Sequence, residues 1–209
     1  MLNQRACLIV SAAAATGAIL GLLGRIELSV PAAILLLLLS RAAAFAATTE
    51  PPAARFGGSV AATIPAWILV ASTAVLRANA PGLNEVRGAN AVAGLALTHG
   101  EPVVVAACWL ALLAGIVALA GSMPARRPSA GAPPAMQAEL LSAAGLVLFL
   151  VCLFAGPQVV GVADLLPWVV GSLAVGVAAV LAATRIGPWS PRVATALAVL
   201  AMAGSVVTR

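Results

Sequence analysis

The chain has 209 residues, of which 63% are hydrophobic and only 8% are charged. A soluble domain is about 25% charged, so this chain lacks the polar residues that would cover a water-exposed surface, and its high apolar content excludes intrinsic disorder. The net charge of +5 comes from eleven arginines without any lysine, and these form no dense patch interleaved with aromatic residues, which excludes nucleic acid as a partner.

Apolar runs of membrane-spanning length follow one another along the chain. A helix needs about 20 residues to cross the hydrocarbon core of a bilayer. We therefore predict an all-α fold, a polytopic transmembrane helix bundle with six to eight membrane helices, embedded in the lipid bilayer and without a soluble domain. A single integral membrane domain covers residues 1–209. The predicted spans are residues 6–24, 28–48, 57–76, 102–123, 140–163, 165–184 and 193–208.

Two features interrupt this apolar pattern. Arg41 lies about two thirds of the way along the second span, where an arginine either snorkels to the membrane surface or faces other helices. Residues 124–139 are rich in Pro, Ala and Ser, and this composition predicts an exposed polar loop.

The arginines predict the orientation of the bundle. Seven spans divide most of them into two groups, and positively charged loops stay on the cytoplasmic side. The larger group favours a cytoplasmic N-terminus and a cytoplasmic 124–139 loop, in a bacterial-type inner (cell) membrane. The larger group is Arg5, Arg55, Arg126, Arg127, Arg185 and Arg192, and the smaller group is Arg25, Arg77, Arg87 and Arg209.

Residues that carry covalent or metal chemistry are scarce. His99 is the single histidine, and Cys7, Cys108 and Cys152 fall in separate apolar stretches without CxxC spacing. A haem held by two histidines of this chain is excluded, and neither a metal site nor a catalytic triad is expected. We therefore expect no catalytic residues and no cofactor in this chain.

Glu101 is the leading candidate for a functional residue. The chain has six acidic residues, and a carboxyl group near membrane depth is costly unless it is paired, hydrated or protonated. Glu101 precedes Pro102 at the mouth of a long apolar span, and Arg87 and His99 are its candidate partners. Such a carboxyl group suits proton relay. The alternative is that Glu101 lies at the water interface and simply begins a helix.

Glu139 is the second candidate among the carboxylates. It opens the fifth predicted span, and the alternative is an ordinary acidic residue in a first helical turn. The other four carboxylates are assigned to interfacial, capping or loop positions, and these are Glu27, Glu50, Glu85 and Asp164.

Three segments occur in a distinctive order. Arg87 precedes Leu95-Ala-Leu-Thr-His-Gly-Glu101-Pro102 and a helix ending in Ala120-Gly-Ser122, and then come Gln137-Ala-Glu139-Leu-Leu141 and Ala183-Thr-Arg185-Ile-Gly-Pro188-Trp-Ser-Pro191-Arg192. Over residues 57–209 this order resembles the membrane subunit that joins the two arms of respiratory complex I. It is most similar to the counterpart of that subunit in group 4 membrane-bound hydrogenases and formate hydrogenlyases.

The resemblance implies a role. Such a subunit anchors a peripheral redox module and carries part of the proton path toward antiporter-like membrane subunits. Glu101 is then a proton-relay carboxylate with Arg87 as its electrostatic partner, and Glu139 is the remnant of an acidic loop. Two alternatives remain open from the residues themselves, a small homo-oligomeric transporter or channel and a purely structural assembly subunit.

Overall fold

Long α-helices make up nearly all of the computed structural model, which describes residues 4–47, 60–86, 102–122, 133–154, 165–186 and 189–207. Within these ranges no strand is formed, which confirms the predicted all-α class. The side chains of residues 60, 133–136, 139, 165 and 167 lie outside the description. In chain order the helices are α1 (Gln4–Leu22), α2 (Val30–Ala46), α3 (Val60–Ala78), α4 (Pro102–Gly121), α5 (Pro133–Phe154), α6 (Leu165–Ile186) and α7 (Ser190–Val207).

Five of these helices are long and apolar enough to cross a membrane, namely α1, α3, α4, α6 and α7. Two further apolar helical segments, Val30–Ala46 and Leu140–Phe154, are shorter. The structure thus supports a protein of membrane-helix character in contact with lipid, and the count of six to eight spans remains a prediction.

The helix boundaries follow local signals. Ser29 Oγ accepts a hydrogen bond from the Ala32 amide at 3.3 Å and Pro31 lies in the first turn, and both features favour the start of α2 there. Asn79, with φ 53°, follows the end of α3 in the left-handed conformation that asparagine tolerates. Gly24, with φ 73°, supplies the same conformation in the turn between α1 and α2.

The fifth helix begins earlier than the predicted span. α5 starts at Pro133, so residues 133–139 of the predicted polar loop are helical. Proline is favoured in the first turn of a helix because its missing N–H needs no partner there. The residues that follow, Ala-Met-Gln-Ala-Glu, are mostly strong helix formers.

Contacts between helix ends show that α1 to α4 alternate in direction. The Gln4 side-chain amide donates to the Ala47 carbonyl at 2.8 Å, which brings the start of α1 to the end of α2. The Val30 amide donates to the Pro81 carbonyl at 2.9 Å, which brings the start of α2 to the turn after α3. We call these the Gln4 end and the Val30 end of the bundle.

The later helices continue the arrangement. At Gly121, the last residue of α4, an added Cβ would lie only 2.7 Å from Ser190 Oγ, so the end of α4 meets the start of α7. The same position would place a Cβ 3.2 Å from the Thr63 methyl group in the first turn of α3. The starts of α3 and α7 therefore share the end of the bundle at which α4 terminates.

The interior combines large apolar side chains with faces of small residues. Trp67 and Phe149 are fully buried and meet edge to face, with ring centroids 6.4 Å apart. The most extensive helix pair is α4 with α7. The buried positions that α7 contributes are all alanine or serine, which lets the two backbones approach closely. On α7 these residues are Ser190, Ala194, Ala198, Ala201 and Ser205.

Candidate functional site

The side chains of the four residues predicted to relay protons are not among those that the structure describes. Arg87, His99 and Glu101 lie outside the described residues. Glu139 belongs to α5, but its side chain also lies outside the description. The role assigned to these four residues therefore remains a prediction.

The helix that follows Glu101 is the most enclosed of the candidate spans. α4 begins at Pro102, directly after Glu101 in the sequence. In the most apolar part of α4, 61% of the residues are buried, against at most 39% in the other four candidate spans. α4 packs against α3, α5, α6 and α7, so the helix beginning at the Glu-Pro step is central to the bundle.

Arg41 is the one charged side chain that is buried among the described residues, with 2% of its surface exposed. It lies on α2, five residues before the end of that helix, or about 7.5 Å along the axis. The described carboxylate side chains, Glu27 and Glu85, are both exposed. Glu85 accepts a hydrogen bond from the Gly82 amide. Gly82 itself forms an isolated backbone bridge with Ser29, which precedes α2.

Hydrogen bonds and a ring contact hold the Arg41 guanidinium. Its Nη2 donates to the Ser122 carbonyl at 2.6 Å, and its Nη1 donates to Ser142 Oγ at 3.2 Å. The guanidinium carbon lies 5.2 Å from the centre of the Phe45 ring, one helical turn further along α2. Arg41 thereby joins α2 to the end of α4 and to the middle of α5, and we call these four residues the Arg41 cluster.

The electrostatics of the Arg41 cluster are favourable because Ser122 directly follows the last residue of α4. The last carbonyls of a helix have no partner within the helix and carry the negative end of its dipole. Ser122 is itself held in place, since its amide bonds to the Ala118 carbonyl at 3.0 Å and its hydroxyl donates to the Leu119 carbonyl at 2.7 Å. A cation on α2 therefore caps the C-terminus of another helix.

The energies explain why the arginine is tolerated at this depth. Placing an arginine at the centre of a bilayer costs about 2.5–3.5 kcal/mol on insertion scales. A hydrogen bond to a charged group contributes about 1.5–3 kcal/mol, so the two bonds and the Phe45 ring offset that cost. The cluster links three helices through one buried cation.

A serine pair extends the polar region beside Arg41. Ser40 precedes Arg41 on α2, and its hydroxyl donates to the Ser11 carbonyl of α1 at 2.8 Å. The two hydroxyl oxygens, both buried, are 3.2 Å apart. Through Ser40 and Arg41, one segment of α2 makes polar contacts with α1, α4 and α5.

Sequence reasoning identified Arg41 but did not select it as a site. The sequence does not distinguish an Arg41 side chain that snorkels to the membrane surface from one that faces other helices. The structure shows that Arg41 faces other helices. The signal that was available is the charge itself, because Arg41 is the one charged residue between Glu27 and Glu50. Its partners are 81 and 101 residues away along the chain, so no local pattern indicates them.

The described residues show no metal-binding group. Among them, no cluster of three or more His, Cys, Asp or Glu side chains is present. Cys7, Cys108 and Cys152 are buried on three different helices, α1, α4 and α5, and form no disulfide.

Comparisons with protein-family models, with curated proteins and with solved structures find no match for this chain. The resemblance to the subunit that joins the arms of complex I therefore depends on the residues quoted for it. Of the segments quoted for it, the one from Pro102 to Ser122 contains the enclosed helix α4, and the Arg41 cluster lies at the C-terminal end of this helix.

Proposed function

We propose that this chain is a non-catalytic membrane subunit of a multisubunit energy-converting redox complex of the complex I or group 4 hydrogenase type. In this role it anchors a peripheral redox module and contributes to proton translocation. Its neighbours in the membrane are antiporter-like subunits. It lies in a bacterial-type inner membrane, with the 124–139 loop in the cytoplasm.

The observation that carries the proposal is the position of α4. This helix follows Glu101 directly, is the most enclosed of the candidate spans and ends at the buried cation Arg41. A protonatable group before an enclosed helix and a permanent positive charge at its other end are components of a proton-handling membrane subunit. Arginine cannot lose its proton in a protein, so Arg41 supplies a fixed charge and Glu101 the mobile proton.

The predicted relay residues take distinct roles in this proposal. Glu101 exchanges the proton, while Arg87 and His99, which precede it within 14 residues in the sequence, modulate its charge. Glu139 is one helical turn before Ser142 on α5, and Ser142 accepts a hydrogen bond from Arg41. The proposal therefore assigns Glu139 to the proton path on the Arg41 side of the protein.

The redox chemistry is assigned to partner subunits. Cluster or haem ligation requires several thiolates or imidazoles that converge on one metal centre. The three cysteines lie on three different helices, and the sequence has one histidine. The proposed contribution of this chain is therefore attachment and proton transfer.

Purification of the native assembly tests the proposal. An affinity-tagged chain, expressed from its own locus and extracted in mild detergent, should copurify with hydrogenase-like and antiporter-like subunits identified by mass spectrometry. Recovery of a homo-oligomer without such partners would contradict the proposal and favour the transporter or channel. Copurification with membrane subunits that lack a redox module would favour the purely structural role.

A substitution tests the proton-relay role directly. In the assembled complex, Glu101→Gln should lower redox-driven proton translocation by about tenfold or more without changing subunit composition, because glutamine cannot exchange a proton. Glu27→Gln is the matched control, since Glu27 is an exposed loop carboxylate. The measurement is acidification per electron in membrane vesicles. Unchanged coupling in an intact Glu101→Gln complex would remove the proton-relay role.

A further inference from the structure

An open groove of about 440 Å³ lies between the first turn of α3 and the first two turns of α7. Both helices start at the end of the bundle where α4 terminates. The groove is lined by Ala62 on α3 and by Pro191, Arg192, Thr195 and Ala196 on α7. Its walls are small and mostly apolar, and one arginine supplies its charge.

Arg192 is exposed and lies beside an aromatic ring. Its guanidinium carbon lies 5.2 Å from the centre of the Trp189 ring, and 60% of the Trp189 surface is exposed. This distance is that of a cation–π contact, and the planar guanidinium of an exposed arginine suits a bidentate acceptor such as phosphate. An exposed tryptophan beside an arginine is also typical of the membrane–water interface.

Arg192 lies near one end of an apolar helix that is long enough to cross a membrane, where lipid headgroups are expected. It is the third residue of α7, so it lies within about 5 Å of the helix start. The positive end of the α7 dipole is at the same place and adds to the attraction for an anion. The Thr195 hydroxyl donates to the Pro191 carbonyl at 2.9 Å, which leaves its oxygen as an acceptor and Arg192 as the cationic group of the groove.

An apolar wall extends from the groove toward the middle of the helices. One turn beyond Ala62 on α3 comes Pro65, which is exposed, and one turn beyond Ala196 on α7 comes Leu200, of which 57% is exposed. A soluble anion has no apolar group that could pack against this wall, whereas an acyl chain can bury the wall's apolar surface. The combination of a cation at the helix start and exposed apolar residues below it is complementary to a phospholipid.

We propose that the groove between α3 and α7 is a binding site for an anionic phospholipid. The phosphodiester is bound by the Arg192 guanidinium, which lies beside the Trp189 ring. One acyl chain lies along Pro65 and Leu200. None of the residues that line the groove belongs to the Arg41 cluster.

The test is lipid titration of the purified full-length chain in detergent, followed by native mass spectrometry. Wild-type protein should bind dioleoyl phosphatidylglycerol more tightly than dioleoyl phosphatidylcholine. Arg192→Gln should lower the affinity for phosphatidylglycerol by about tenfold, as expected for the loss of one charge-assisted contact. Ala196→Trp, which fills the groove and keeps the charge, should lower it similarly.

Arg185→Gln is the matched control. Arg185 is an exposed arginine near the end of α6, and it does not line the groove. Equal loss of affinity in Arg185→Gln would overturn the site, and so would unchanged affinity in Arg192→Gln. Equal binding of the two lipids would overturn its preference for an anion. If glycerol phosphate competed as well as the intact lipid, the acyl-chain part of the site would be overturned. Melting temperatures of the variants establish that they are folded.

Discussion

Arg41 shows how one charged side chain is accommodated among apolar helices. Its charge is directed at the carbonyl group that ends α4, where the helix dipole is negative, and its second donor reaches a serine on α5. The same side chain covers the Phe45 ring. Each of these contacts uses a property of arginine, because the planar guanidinium offers several donors and a face that stacks.

At this scale we predict that Arg41→Ala destabilises the protein by about 2–4 kcal/mol, from the lost hydrogen bonds and the cavity left behind. Arg41→Lys should cost less, about 1–2 kcal/mol, because an ammonium group retains the charge and one of the two bonds. The measurement is thermal unfolding in detergent, monitored by circular dichroism.

The control for Arg41 is Arg25→Ala, at an exposed position in the turn after α1. It should change stability by no more than about 0.5 kcal/mol. If Arg41→Ala were as stable as Arg25→Ala, the cluster would have no structural role.

The α4–α7 pair shows how these helices associate. The buried side of α7 carries small side chains at intervals of three or four residues, from Ser190 to Ser205. At Gly204 an added Cβ would lie 3.2 Å from the Cβ of Ala107 on α4. Between apolar helices in lipid, close packing and hydrogen bonding replace the hydrophobic effect as the source of stability. The small residues on α7 therefore form the surface through which this helix packs closely against α4.

We predict that Ala198→Leu on α7 destabilises the bundle by about 1–3 kcal/mol, because the larger side chain overpacks the helix interface. Ala198 is fully buried, whereas 51% of its neighbour Val199 is exposed. Val199→Leu is therefore the matched control and should have almost no effect. The readout is the melting temperature in detergent, and equal effects of the two substitutions would show that this face of α7 is not a packing surface.

At the scale of the whole molecule, the bundle has two chemically different ends. The Gln4 end contains the starts of α1 and α7 and the Arg41 cluster nearby, and the Val30 end contains the turns after α1 and α3. Exposed arginines occur at both ends, for example Arg192 at the first and Arg25 at the second. The surplus of positive charge predicted for the first end is the basis on which we propose that this end faces the cytoplasm.

This orientation is testable by cysteine labelling. In a chain with Cys7, Cys108 and Cys152 replaced by alanine, Arg25→Cys should react with a membrane-impermeant maleimide in intact cells. Arg185→Cys should react only after permeabilisation, because only three residues separate the end of α6 from the start of α7, which lies at the Gln4 end and so opposite to the turn after α1. Labelling of both cysteines from the same side would contradict the alternating arrangement, and the reverse pattern would contradict a cytoplasmic N-terminus.

The sequence by itself determined the class of the protein and most helix positions. Both follow from local features, since a run of about 20 apolar residues is helical in lipid whatever its neighbours are. Local signals also explain the turn at Pro81-Gly82 and the start of α2. The proton-relay role of Glu101 remains a prediction, because it depends on a carboxyl group outside the described residues.

Only the tertiary structure decided what Arg41 does and where Arg192 is presented. Whether an arginine in a span snorkels or faces inward depends on the helices that surround it, and the contacts of Arg41 join residues 81 and 101 positions apart. The groove beside Arg192 likewise exists because the first turns of α3 and α7, which are distant in the sequence, lie side by side. Helix formation is governed by interactions within a few residues, whereas packing depends on contacts that the order of residues does not encode locally.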